Sequence, residues 1–188
     1  LTEETRFPHS VGLLYSSFTA FLGFEVNEGE YKVMGMAPYG TPKYVDRVRE
    51  VVQWDDRGGV HLDLRYFAHP YSTTRTFSGR FESLFGRPRR PEERDTMDPY
   101  GLDLAASVQA VTEEILLAMA RALHRETGMT ALCMAGGVAL NSVANGRIRR
   151  ETPFTSLYIQ PAAGDSGGAV GAALYVTHAV LGRPRGFV

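Results

Sequence analysis

Three observations predict an α/β fold for this chain. Residues 130–181 alternate a short apolar run, a helical stretch, a second apolar run and another helical stretch. Both apolar runs pass into glycine-rich turns, at Gly136-Gly137 and at Gly164 to Gly168. Ahead of them, Asp103 to Thr127 keeps apolar residues at helical spacing over about six turns. Strand, helix, strand, helix builds a sheet covered by helices, with ligands collecting beyond the carboxyl ends of the strands. At 188 residues the chain fits one ordinary domain.

The elements follow in order. Val11 to Phe24 places Leu14, Phe18, Phe21 and Leu22 on one stripe, with Ser10 suited to cap the helix and Gly23 to end it. Gly29 to Gly40 mixes apolar residues with Gly and Pro, which predicts a short element leading into a turn at Pro38 to Pro42. Lys43 to Trp54 gathers Tyr44, Val45, Val48, Val51 and Val52 on a broad face and is expected to be a helix, closed by Gly58-Gly59. Val60 to Leu64 alternates as a strand or hairpin arm does. Residues 65–101 lose periodicity and carry Pro70, Pro88, Pro91 and Pro99. That length exceeds a usual structureless loop, so it either hides a short helix around Phe77 to Phe85 or is ordered by a partner or ligand. The helix Asp103 to Thr127 has Asp103 near its start and Gly128 just past its end. Thr130 to Ala135 reads as a buried strand, Val138 to Arg150 as a helix, Ser156 to Gln160 as a second strand, and an alanine-rich helix runs to Leu181.

Composition excludes several classes. Lys plus Arg at 20 against Asp plus Glu at 21 gives a net charge of -1, and 44% hydrophobic with 22% charged residues is a globular balance. Charge is spread evenly, so no basic stripe for nucleic acid is expected; the run Arg87, Arg89, Arg90 stands beside Glu92, Glu93 and Asp95. No apolar stretch reaches membrane-spanning length, and the first residues lack the order of a signal peptide. The one cysteine, Cys133, lies in the apolar run of a predicted strand and is expected in the core, which rules out an internal disulfide and favours a cytoplasmic setting.

Two turns hold the residues suited to chemistry. Gly136-Gly137 between strand and helix permits close backbone approach, and free N–H groups at the helix start suit a nucleotide; close packing alone explains the same glycines. The pattern is neither GxGxxG nor Walker A. Asn141 is expected one turn into the following helix, able to bond a nucleotide or solvent. Asp165, between Gly164 and Ser166 before an apolar helix, suits a hard divalent cation or acts as an ordinary N-cap. His9, His61, His69, His124 and His178 include no pair at helical spacing, so no HExxH site exists. Lys32 and Arg147 are cations able to face phosphate or carbamoyl oxygens, or to sit on solvated faces.

Five segments in order then resemble one family. Phe7-Pro8-His9-Ser10-Val11-Gly12-Leu13-Leu14-Tyr15-Ser16, Gly29-Glu30-Tyr31-Lys32-Val33-Met34-Gly35-Met36-Ala37-Pro38-Tyr39-Gly40, Asp103 to Gln109, Ala135-Gly136-Gly137-Val138-Ala139-Leu140-Asn141 and Ile159 to Ala169 resemble the carbamoyltransferases of nodulation-factor and antibiotic biosynthesis. The resemblance implies a domain of the actin, sugar-kinase and Hsp70 architecture, a mixed sheet flanked by helices, of which residues 1–188 form the second half; the aperiodic stretch 65–101 is read as a loop insertion in it. It implies that ATP and carbamoyl phosphate give a carbamoyl adenylate, and that the carbamoyl group passes to a hydroxyl of a sugar or antibiotic-like acceptor. It places Gly136, Gly137, Asn141, Gly164 and Gly167 against the nucleotide and Asp165 on a divalent metal, Fe(II), with two histidines of a His-x-x-x-His motif; Asp165, with Lys32 from its charge, is expected at the reacting centre. No such motif occurs in this sequence. The motif is therefore expected upstream and an adenylate-forming domain downstream, with this segment alone inactive. Ser142 and Ser166 stand where the family commonly has Cys and Ala. A sugar-kinase-like or Hsp70-like ATPase and a nonenzymatic nucleotide-binding module are the alternatives.

Overall fold

Ser10 opens the first helix, as its position before the apolar stripe predicts. A computed structural model describes residues 3–93 and 96–186. In it the extended Ser10 accepts the Leu13 N–H on its hydroxyl at 3.3 Å, and α1 (Val11–Phe21) buries Leu14, Phe18 and Phe21 completely. The Gly- and Pro-rich stretch forms α2 (Glu30–Met36) and then one 3-10 turn (Ala37–Tyr39) ended at Gly40.

The next helix is shorter than expected. α3 (Val45–Val51) stops where Asp55 Oδ1 accepts the Arg57 and Gly59 N–H groups at 2.9 and 2.8 Å, which folds the chain back. That turn draws Val52 to Trp54 into β1 (Val52–Trp54), antiparallel to β2 (Val60–Leu62) with Gln53 opposite His61.

Residues 65–101 realise the hidden-helix alternative. A bridge between Phe67 and Phe77 leads into α4 (Gly79–Phe85), which inserts Phe81 and Phe85 against Phe18 at ring separations of 4.9 and 5.0 Å. Edge-on and tilted rings in such a cluster gain beyond their burial. The basic run is spent inside the chain. Arg89 donates to the Glu93 and Thr96 carbonyls and pairs with Asp98. Arg87, bonded to Glu93 at 2.9 Å, together with the Arg90 N–H holds that carboxyl down to about 2.

The long helix α5 (Pro99–Thr127) begins one turn earlier than expected. Asp98, not Asp103, is its N-cap, accepting the Gly101 N–H at 2.8 Å, and Pro99 fits the first turn because its missing N–H is not needed there. Asp103 lies inside the helix, almost buried. It accepts Lys43 Nζ and the Thr41 N–H, both at 2.7 Å, and tethers the loop before α3. Gly128 ends the helix in the left-handed conformation.

Beyond it come β3 (Ala131–Met134), a 3-10 turn (Gly137–Leu140), α6 (Ser142–Glu151), β4 (Ser156–Ile159) and α7 (Gly167–Tyr175), continued by a π turn (Val176–Val180). β3 and β4 pair in parallel with α6 as the crossover, Leu132 opposite Leu157. Three expectations need correction. The 3-10 turn delays the helix expected from Val138, so it starts at Ser142. β3 is not a buried strand, since only Leu132 of its four residues is buried. Cys133 is exposed, because among the described residues β3 has one neighbouring strand and nothing packed on its second face. The two sheets are separate and two-stranded, so the described residues are α/β without a single mixed sheet.

The apolar interior divides in two. The larger cluster joins α1 to α4, the hairpin and the first half of α5; the smaller joins Leu116, Leu117, Leu132, Ile148 and Phe154. Among the described residues no helix is long and apolar enough to cross a membrane.

Candidate functional site

Parallel pairing of β3 with β4 brings the two glycine-rich turns side by side at the carboxyl ends of the strands. The Gly136 N–H donates to the Ala163 carbonyl at 2.7 Å, joining them directly. Gly136 has φ 96° and ψ 158°, a region closed to side-chain-bearing residues. At Gly167 a Cβ would stand 2.4 Å from the Ala162 carbonyl oxygen, so the close approach there demands glycine. Gly137 and Gly164 differ, for a Cβ at either would meet nothing within 4 Å. Close packing therefore does not account for Gly137; its backbone faces open space.

Asn141 is the N-cap of α6, not a residue one turn inside it. Its Oδ1 accepts the Ala144 N–H at 3.1 Å. The same carboxamide pairs reciprocally with Gln109 of α5, two bonds of 3.0 Å. Gln109 also accepts the Tyr15 hydroxyl at 2.9 Å and donates to Glu113 at 2.6 Å. Burial pushes the Tyr15 hydroxyl well above its ordinary value, with the Glu113 and Glu30 charges adding, so it stays a donor. Arg147 completes the network. It donates to Glu113 at 2.9 Å and grips both oxygens of Glu151 at 2.7 and 2.8 Å, bonds that raise its pKa further. This guanidinium is half-buried and engaged by two carboxylates of the chain.

Asp165 sits in the second turn, exposed, its carbonyl accepting the Gly168 N–H at 3.1 Å. Among the described residues its carboxylate accepts no hydrogen bond, and Ser166, not Asp165, stands at the N-cap of α7. No group of three His, Cys, Asp or Glu able to hold a metal occurs among the described residues, so they do not form a metal centre by themselves. Lys32 projects from α2 with its ammonium 5.6 Å from the Phe24 ring and 5.9 Å from the Tyr31 ring. Among the described residues no hydrogen bond or ion pair joins it to either turn. Its helix does approach the site, through a 3.8 Å contact of the Ser142 hydroxyl with the Met34 sulfur.

A cavity of about 500 Å³ opens beside the first turn, lined in part by Phe7, His9, Ser10, Met134, Ala135 and Val138. His9 Nδ1 accepts the Leu62 N–H at 3.1 Å, and its ring lies 3.9 Å from that of His61. Burial lowers its pKa, with the charges of His61 and His69 acting in the same direction. His9 is thus a neutral imidazole bordering the cavity.

Residues 1–174 match the family described as Carbamoyltransferase N-terminus. The chain belongs to this family. An uncharacterized protein of Synechocystis, sll1178, is 50% identical over 97% of this chain and 29% of its own length. Nodulation protein NolO of Bradyrhizobium diazoefficiens is 38% identical over 98% of this chain and 31% of its own. Nodulation protein NolNO of Sinorhizobium fredii is 35% identical over 90% and 23%. The chain thus spans less than a third of the length of these curated relatives.

For a carbamoyltransferase-family chain, the residues that sequence reasoning passed over are Tyr15, Glu30, Gln109 and Glu113. Tyr15, Glu30 and Gln109 lie within segments that carry the family resemblance but are ordinary polar residues there, and Glu113 lies outside them; the one local signal is that Gln109 and Glu113 are four apart on α5, a spacing that puts them on one face. Glu30 accepts the Ser16 hydroxyl at 2.7 Å and the Asn27 N–H at 3.0 Å, holding the start of α2 against α1.

Proposed function

We propose that this segment is part of an enzyme that moves a carbamoyl group from carbamoyl phosphate, through a carbamoyl adenylate made with ATP, to a hydroxyl of a sugar or antibiotic-like small molecule. The observation that carries the reading is the join between the two glycine turns in a chain of the carbamoyltransferase family. Open backbone at Gly137 and Gly164, beside the constrained Gly136 and Gly167, supports a place for the adenylate. Forming the adenylate consumes water and releases inorganic phosphate from carbamoyl phosphate and pyrophosphate from ATP. The acceptor hydroxyl oxygen then bonds the carbamoyl carbon as the C–O bond from that carbon to the adenylate breaks; AMP leaves with the bonding pair and the hydroxyl proton passes to solvent. The turns fix the adenylate for that attack.

Lys32 supplies positive charge toward the phosphates in this reading, and it must leave the Phe24 ring to do so. Asp165, exposed and unengaged, is read as one donor to a divalent metal, Fe(II) in the family resembled, completed by ligands outside the described residues. Residues 1–188 are read as the second half of a transferase domain of the actin, sugar-kinase and Hsp70 architecture, in a cytoplasmic protein that also has an upstream metal-ligand segment and a downstream adenylate-forming domain.

The test is product analysis by mass spectrometry on the full-length protein, with ATP, carbamoyl phosphate and a panel of hydroxyl-bearing acceptors. The expected result is a carbamoylated acceptor only when all three are present, with transfer and bound metal both reduced in Asp165→Asn. ATP consumption indifferent to carbamoyl phosphate would make the protein a sugar-kinase-like or Hsp70-like ATPase instead. Bound adenine nucleotide without turnover would make it a nonenzymatic binding module.

A further inference from the structure

We propose that Gln109 is a positioning residue: it fixes the orientation of the Asn141 carboxamide, so that Asn141 meets a ligand at the glycine turns with an N–H donor and never with an acceptor. This rests on the proposed function for the identity of the ligand, a nucleotide, though not for the orientation itself.

A carboxamide offers two lone pairs and two N–H groups. Gln109 uses all four. Its Oε1 receives the Tyr15 hydroxyl and Asn141 Nδ2; its Nε2 donates to Glu113 and to Asn141 Oδ1. The direction is set from one end, because the Glu113 carboxylate, held by Arg147 at 2.9 Å, only accepts. Rotating the Gln109 amide by half a turn would aim its oxygen at that carboxylate and its nitrogen at the Tyr15 hydroxyl, which is 94 residues away in sequence but fixed in the same buried corner. With Gln109 fixed, Asn141 is fixed. Its Oδ1 lone pairs go to Gln109 Nε2 and to the Ala144 N–H, and its Nδ2 keeps one N–H uncommitted.

The uncommitted hydrogen decides the chemistry that can be read there. Its complement is an acceptor atom of the nucleotide, a phosphate, ribose or carbonyl oxygen or a ring nitrogen, and not an amino group. Gln109 itself is buried, bonded to Tyr15 of α1, and acts through Asn141.

The experiment compares Gln109→Leu, Glu113→Gln and Asn141→Asp in the full-length protein. Leu removes the amide pair; Gln at position 113 keeps the shape but donates as readily as it accepts, so the Gln109 amide loses its bias; Asp at position 141 keeps the helix cap and presents an acceptor. The expected outcome for Gln109→Leu is a KM for ATP raised about tenfold with kcat changed less than about twofold, and for Glu113→Gln a rise of about threefold. Asn141→Asp is expected to raise KM by about a hundredfold through charge as well as polarity. A merely structural role would lower the amount of active enzyme and leave KM unchanged. Should Gln109→Leu fail to fold, Glu113→Gln carries the test. KM for ATP at the parent value in the folded variants overturns the proposal. If the parent itself transfers no carbamoyl group, the proposed function fails, and hydrogen exchange at residues 141–145 judges the positioning on its own. Exchange there about tenfold faster in Gln109→Leu supports it, and exchange as in the parent overturns it.

Discussion

Gly136 and Gly137 are adjacent in sequence and opposite in physical demand. Alanine at Gly136 must enter a backbone region reserved for glycine, and we expect a loss of about 2 kcal/mol in urea unfolding, whether or not a ligand is present. A Cβ at Gly137 has nothing within 4 Å, so alanine there should shift unfolding by less than about 0.5 kcal/mol while calorimetry shows nucleotide affinity falling. Equal destabilisation by both substitutions would refute this division. His9 gives a pH signature. Its folded pKa lies below the ordinary value, so the unfolded chain binds the proton more readily. The stability this contributes is present above about pH 6.5 and is lost as pH falls through the folded pKa. Melting temperature should therefore fall between neutral and mildly acidic pH, and His9→Gln, whose amide oxygen can still accept the Leu62 N–H, should flatten that slope.

At the scale of elements, α5 illustrates what was legible and what was not. Its apolar period from Leu104 to Leu123 announced the helix, but the start hid in Asp98-Pro99-Tyr100-Gly101, which looks like a breaker and works as a cap followed by a permitted proline. Asp98→Ala should lower stability by about 1 kcal/mol in thermal unfolding, and a smaller effect than Asp103→Ala would place the decisive bond inside the helix instead. The end of α3 was illegible for a different reason. Val51 and Val52 extend a helical stripe as well as they begin a strand, and only the Asp55 turn, a contact that depends on Gly59 four residues on, decides between them. Cys133 misled because an apolar run signals burial only when something covers both faces. That both glycine turns lie at the carboxyl ends of the strands was legible from the strand–helix alternation. The amide pairing that holds Asn141 was not, since it joins residues 32 apart whose types are ordinary.

Across the described residues, burial is distributed unevenly. The phenylalanine cluster around α1, α4 and the first half of α5 is fully buried, whereas α7 buries no residue and exposes Val170, Leu174 and Tyr175. Local opening free energies should follow that gradient, so hydrogen exchange by mass spectrometry is expected to be slowest in the first half of α5 and fastest in α7. Protection of α7 equal to that of α5 would contradict it. The bond from the Gly136 N–H to the Ala163 carbonyl crosses this gradient. It fastens a turn anchored through Asn141 and Gln109 to the well-packed helix onto a turn that leads into the least protected one. The corner is packed on one arm and open on the other, and Asp165 stands on the open arm.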